Sequence, residues 1–161
     1  MEEAVARVRE ALLTHGHADT ITLFPEGTRT AVEAAAAVGC SVAQIAKSIV
    51  FRAGDLAVIV ITSGANRVDK RRAGEAAGVK LAPAGPDFVL AATGFVAGGV
   101  APIGLLGAPL LLMDRDLLAL DPVWAAAGTP MHVFETRPDA LLAMTGATVA
   151  DVGRADNPEI R

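Results

Sequence analysis

Apolar residues Val5, Val8 and Leu12 recur at helical spacing near the amino end, and Gly16 supplies a stop, so the chain opens on an amphipathic helix. Alternation over Thr20–Phe24 predicts a strand that runs into the turn Pro25-Glu26-Gly27. Thr30 and Glu33 stand at capping-box spacing, which predicts a helix from Thr30 to a stop at Gly39. Ser41 and Gln44 repeat that spacing, so a short helix should deliver the chain to Lys47. Two apolar strands, Ser48–Arg52 and Leu56–Thr62, flank Gly54-Asp55 as a hairpin.

Further along, Asp69–Ala77 reads as a basic helix ended by Gly78, and Asp87 as the cap of a short helix through Ala92. A glycine-rich stretch, Gly94–Gly107, precedes the strand Leu110–Met113. Val123-Trp124 and Met131–Phe134 read as strands, Pro138–Met144 as a helix stopped at Gly146, and Thr148–Val152 as a final short strand. Ile49–Phe51, Leu56–Ile61, Leu110–Met113 and Val133-Phe134 are the expected buried strands. Strict βαβ alternation is lacking, which favours an α+β domain: a curved mixed sheet with helices outside it. Residues 1–152 form the expected domain, and 153–161 a polar tail that should fray.

The length of 161 residues fits one domain, and 52% hydrophobic with 20% charged residues excludes a disordered chain. The single cysteine, Cys40, excludes an intramolecular disulfide and fits a reducing compartment. Three histidines, His15, His17 and His132, make no zinc pattern with it. A net charge of −4 argues against non-specific coating of nucleic acid, yet it leaves room for a local basic patch. The acidic, mixed amino end lacks the basic start and apolar run of a secretion signal. Phe88–Met113 carries no charge, but glycines and prolines break it throughout. A cytoplasmic protein without a membrane span is expected.

Two features could carry chemistry. Lys47 falls on the strand face of Ile49 and Phe51, and it reads either as a strand-end lysine snorkelling to water or as an anion anchor at a pocket mouth. Gly98-Gly99-Val100-Ala101-Pro102-Ile103-Gly104 reads either as a tight turn or as a loop presenting backbone groups to an ester carbonyl or a phosphate. It lacks the GK[ST] ending of a phosphate-binding P-loop, and GxGxxG is absent too. Cys40 has no motif around it, Ser63-Gly64 and Ser41 lack a nucleophile elbow, and His132 lies in a strand. Asp114, Asp116 and Asp121 are explained more cheaply by capping and solvation than by a metal. Arg67, Lys70, Arg71 and Arg72 form the densest basic run, either a solvated helix face or a contact for a phosphate backbone.

Taken together, Ala46-Lys47-Ser48-Ile49-Val50-Phe51, Ala92-Thr93-Gly94-Phe95 and the Gly98–Gly104 loop resemble the YbaK/ProX family of trans-editing aminoacyl-tRNA deacylases. The same domain is similar to the editing insertion of bacterial prolyl-tRNA synthetases. Pro25–Thr30, Ser63–Asp69 and Ala126–Pro130 support the resemblance, which runs from about Thr20 to Val152 in the family's order.

The resemblance implies a partly barrel-like sheet and hydrolysis of the ester joining a wrong amino acid to the 3′ end of a tRNA, usually a proline tRNA. Lys47 would hold the terminal adenosine phosphate or the loop, while Gly98, Gly99, Val100, Ala101 and Pro102 would position the aminoacyl carbonyl. Phe24, Thr28, Thr30, Ser48, Gly104 and His132 would bind substrate, and the Arg67–Arg72 cations the tRNA. No cofactor, metal or covalent protein nucleophile is implied; a water is aimed by backbone groups and the substrate's ribose hydroxyl. An aminoacyl-tRNA synthetase is a second candidate partner. After Met131–Phe134 the family often has a small residue before a glycine, where this chain has Glu135-Thr136-Arg137. That departure leaves alanine, serine, threonine and cysteine esters all open, since one methyl group is worth only ~1–3 kcal/mol. Two alternatives remain, a non-catalytic tRNA- or partner-binding module and a generic hydrolase of simple esters.

Overall fold

The computed structural model describes residues 2–155; side chains cap the starts of two of its α-helices, and left-handed glycines close the ends of four. Helix α1 (Glu2–Thr14) buries Val5, Val8 and Leu12. In α2 (Ala31–Val38) the Thr30 hydroxyl accepts from Glu33 N at 3.1 Å, and the Glu33 carboxylate accepts from Thr30 N at 3.2 Å. Gly39 then closes it at φ 77°, a conformation glycine adopts without steric cost. Asp69 caps α3 (Lys70–Ala77) through Arg72 N. Helix α4 (Pro86–Thr93) starts one residue before the expected cap: Gly85 is the N-cap, and Asp87 lies in the first turn. Pro86 decides this, because its fixed φ and missing N–H suit the first helical position. Helix α5 (Pro138–Thr145) ends at Gly146.

Ten strands complete the described chain: β1 (Ile21–Leu23), β2 (Ile45–Ala53), β3 (Leu56–Ser63), β4 (Asn66–Val68), β5 (Ala82–Pro83), β6 (Leu110–Asp114), β7 (Val123–Ala126), β8 (His132–Thr136), β9 (Thr148–Ala150) and β10 (Gly153–Ala155). Seven follow one another in the order β1-β8-β7-β2-β3-β6-β9, β5 adds to β2, and β4 pairs with β10 in a separate ribbon. The sheet is mixed: β2 runs parallel to β7, and β6 parallel to both β3 and β9, while the remaining pairs are antiparallel. This is the expected single α+β domain, but the sheet stays open between β1 and β9, so the barrel-like element of the expectation is corrected.

Strand β3 is the spine. Val58, Val60, Ile59 and Ile61 are fully buried, the first two against Ala73, Leu81 and Leu112, the second two against Val8, Leu12 and Phe95. Burial on both faces makes each of these side chains worth about 1.5–3 kcal/mol. Elsewhere the expected burial is only partial. Leu56 at the hairpin end is exposed, Leu110 and Leu111 are half-buried, and Ile49–Phe51 are half-buried because β2 lacks a continuous second neighbour. Strand β2 also starts three residues early, which moves Lys47 from the strand end into the strand.

Asp114 ties the spine to its surroundings. Its carboxylate is 2% exposed and accepts from Thr62 Oγ1 at 3.0 Å, Ser63 N at 3.1 Å, Asn66 Nδ2 at 2.8 Å and Asp116 N at 3.0 Å. Capping of the 3₁₀ turn Arg115–Ala119 is therefore only part of its role. Strand β10 crosses this network at Gly153, where a Cβ would lie 2.8 Å from Asn66 Nδ2 and 3.0 Å from Asp114 Oδ2. The tail expected to fray from 153 thus holds a paired strand over Gly153–Ala155, and its remainder, 156–161, lies outside the described residues. Replacing Asp114 by Ala orphans several buried donors at once, each charge-assisted bond being worth about 1.5–3 kcal/mol. Urea unfolding of Asp114→Ala should show a loss of about 2–4 kcal/mol; a loss below about 1 kcal/mol would contradict the role given to this carboxylate.

Candidate functional site

Strands β2 and β7 run side by side for only two residue pairs, Ile45 opposite Trp124 and Ala46 opposite Ala125, and then part. On that edge β2 next meets a strand at Phe51 and Arg52, which pair with β5. Lys47–Val50 therefore have a strand neighbour only on the β3 side among the described residues. The split opens a cavity of about 150 Å³. Lys47, Ser48 and Ile49 line one flank, Ala126 and Val133 the other, and Thr28–Ala31 with Ala34 and Gly98 with Val100 close it. Its walls are mostly alanine and branched aliphatic side chains; among the described residues its only charged lining residues are Arg29 and Lys47, and no carboxylate lines it. An unpaired strand edge is normally a liability; here it supplies backbone donors and acceptors to a cavity wall. The buried Ser48 hydroxyl has no hydrogen-bond partner among the described residues.

The loop that closes the cavity is held by backbone contact. Gly98 has φ 86°, and a Cβ there would lie 3.0 Å from Arg29 Cγ. At Gly99 a Cβ would lie 2.6 Å from Thr129 Cα, so only glycine allows the loop to press onto that backbone. Behind it, Val100, Ala101, Pro102 and Ile103 are buried. Arg7 of α1 clasps both ends of the stretch: its guanidinium donates to the Gly94 and Gly104 carbonyls and stacks over Phe95 at 4.8 Å from the ring centre. Among the described residues no three His, Cys, Asp or Glu side chains are grouped to hold a metal ion.

A sequence profile of the aminoacyl-tRNA editing domain matches residues 25–144, about three quarters of the chain and every element that lines the cavity. The chain belongs to the aminoacyl-tRNA editing domain family. The uncharacterised protein YwhH of Bacillus subtilis (strain 168) is 32% identical over 122 residues, covering 75% of this chain and 78% of that one. Among solved structures, a candidate trans-editing enzyme for prolyl-tRNA synthetase is similar at 43% identity and a TM-score of 0.88, over 94% of this chain and 98% of that one. The protein APE2540 is similar at 31% identity and a TM-score of 0.85, over 92% and 99%.

Within this editing domain, Lys47, Ser48, Thr28, Thr30, Gly98 and Val100 share the cavity. Gly99, Ala101 and Pro102 stand behind the loop as its support rather than in the lining. Three expected substrate-binding residues lie outside the lining. Phe24 borders a separate groove with Pro25, Glu26 and Glu33, and Gly104 packs against the α1 backbone at Arg7. His132 alternates with Val133 along β8, so when Val133 faces the cavity His132 turns away, and its Nδ1 lies 2.6 Å from Thr129 Oγ1. The basic run is apart from the cavity as well: Lys70 and Arg71 line a groove with Lys80, Arg71 pairs with Glu75, and Arg72 with Asp69. Arg154, across β4–β10 from Arg67, joins that face and sits 3.7 Å from Asp69. Asp69 is held below the usual carboxylate range chiefly by the Arg72 N–H, with Arg154, Arg72 and Arg71 adding to it against some desolvation. Arg29 and Arg7 escaped the sequence reading. Arg29 stands in the Pro25–Thr30 stretch that carried the resemblance, whereas nothing in α1 marks Arg7 as a loop clamp.

Burial, with a smaller push from Arg9, lowers the pKa of His132 below its usual 6.5. The unfolded chain therefore takes up a proton before the folded one does, and stability is lost as pH falls below about 6.5 toward the folded pKa. Urea midpoints measured from about pH 7.5 to about pH 5 should fall more for the wild type than for His132→Gln. Parallel curves would contradict the assignment.

Proposed function

We propose that the chain hydrolyses the ester of tRNA carrying a small wrong amino acid, most simply a proline tRNA bearing alanine, serine, threonine or cysteine. One observation carries this reading: a cavity of about 150 Å³ is lined by both Lys47 and the Gly98–Val100 loop, in a chain of the editing family. Clefts that take drug-sized ligands measure roughly 300–1,000 Å³, so about 150 Å³ suits a small acyl group with its ribose left at the mouth.

In this reading the acyl group enters between Lys47 and Gly98, and the loop backbone meets the ester carbonyl. Lys47 supplies positive charge near the oxygen that becomes negative as water adds to the carbonyl carbon. The acyl carbon–oxygen bond then breaks, the ribose oxygen takes up a proton, and the free amino acid leaves. No side chain forms a bond to the substrate. Positioning and preorganised electrostatics supply the barrier reduction.

A panel of proline tRNA charged with Ala, Ser, Thr, Cys or Pro tests the reading, with hydrolysis expected for one or more of the first four and Pro spared. Lys47→Ala should cut the rate by ~10²-fold or more, the loss typical of removing a preorganised donor, with an almost unchanged Tm. Gly98→Ala should slow the reaction through its strained positive φ. Wild-type rates in Lys47→Ala would contradict the mechanism, tRNA binding without hydrolysis would indicate a binding module, and hydrolysis of simple esters without the tRNA a general esterase.

The body of the tRNA is assigned to the Arg67, Lys70, Arg71 and Arg72 face. Arg67 and Lys70 have no carboxylate within 4.0 Å among the described residues, so they are its least compensated cations. Each phosphate neutralised contributes ~0.7–0.9 to the slope of log affinity against log salt. Replacing both by Ala should flatten that slope and weaken tRNA binding without unfolding the chain; an unchanged slope would move the contact elsewhere.

A further inference from the structure

Most arginines elsewhere in the described chain are spoken for, Arg67 on the β4–β10 ribbon excepted. Arg9, Arg52, Arg71, Arg72, Arg115, Arg137 and Arg154 have carboxylate partners, and Arg7 holds two loop carbonyls. Arg29 is different: it lines the cavity, is exposed to solvent, and makes no ion pair or side-chain hydrogen bond among the described residues. Its stem nevertheless lies along the loop, since a Cβ on Gly98 would come 3.0 Å from Arg29 Cγ, 3.4 Å from Nε and 3.5 Å from Cδ. The glycine thus gives the arginine a track at the cavity mouth.

We propose that Arg29 binds the phosphodiester on the 5′ side of the terminal nucleotide, leaving Lys47 to the ester inside the cavity. This rests on the reading of the cavity as the acyl site. With the acyl group inside the cavity, the ribose and its 5′ phosphate lie toward solvent, where the exposed Arg29 stands. A guanidinium suits that position because its planar fork meets two phosphate oxygens at once, and it stays charged whatever the local environment. Lys47 is half-buried within β2, a compact charge suited to a deeper site. Among the described residues no carboxylate lines the cavity to compete for either cation.

The test is a chemical double-mutant cycle. The probe is a short uncharged RNA ending in CCA, made with a normal or a methylphosphonate terminal linkage, the latter lacking that one charge. Wild-type protein should lose roughly tenfold in affinity when the charge is removed. Arg29→Ala should bind the normal RNA roughly tenfold more weakly, show no further loss with the methylphosphonate, and lower the salt slope by ~0.7. Arg29→Lys should recover part of the affinity. In deacylation of a mischarged tRNA, Arg29→Ala should raise KM and leave kcat within a fewfold of wild type. Wild-type protein that deacylates while the methylphosphonate penalty persists in Arg29→Ala, or appears only with Lys47 intact, overturns this assignment alone. A wild type that binds the RNA with the expected coupling yet hydrolyses no mischarged tRNA overturns the editing reading and leaves the Arg29 contact standing. No binding of the RNA by wild type, or a loss in kcat at constant KM, overturns the phosphate role.

Discussion

The two-residue pairing of β2 with β7 is the constraint on which the site depends. Had the strands stayed together past Ala46 and Ala125, Lys47–Val50 would have bonded to a neighbour and the sheet would have closed over the cavity. Instead the edge opens, and the cost of an unpaired edge is limited because α2 and the Gly98 loop cover it. The cover is itself exacting. Gly99 rests on the Thr129 backbone at a distance that leaves no room for a Cβ, and Arg7 holds the two ends of the stretch from another element.

A rigid frame keeps that split in register. Strand β3 is buried on both faces and paired to β2 along its whole length, so Lys47 is fixed opposite Thr62. Thr62 in turn donates to Asp114, which also gathers Ser63, Asn66 and Asp116. A buried carboxylate with this many donors is stable only if all of them are kept, which makes the far end of β2–β3 a poor place for local opening. The cavity thus borrows its geometry from a polar network that contributes no lining residue of its own.

Much of the frame was legible because its signals are local. The Thr30–Glu33 box, the left-handed glycines that end α2 to α5, and the β2–β3 hairpin each depend on residues a few positions apart. The co-location of Lys47 with the Gly98 loop came from resemblance rather than from periodicity, since 51 positions separate Lys47 from Gly98 in sequence. What escaped was tertiary in origin. Period-two alternation places Ile49 and Phe51 on one face but says nothing of the strand neighbour that Ile49 lacks, so its partial exposure could not be read. Gly153–Ala155 looked like a polar tail because its partner, β4, is a three-residue strand too short to announce itself. His132 in a strand offered no sign of which face Val133 would take.

The central claim is that the acyl end of the substrate occupies the gap between β2 and β7. It is tested most directly by a crystal structure with a stable analogue, an adenosine whose 3′ oxygen is replaced by an amide-linked alanine or serine. The account predicts the aminoacyl group between Lys47 and Gly98, with its carbonyl toward the loop backbone and the nucleoside outside. An aminoacyl group bound elsewhere, with this cavity unchanged and empty at saturating analogue, would contradict it.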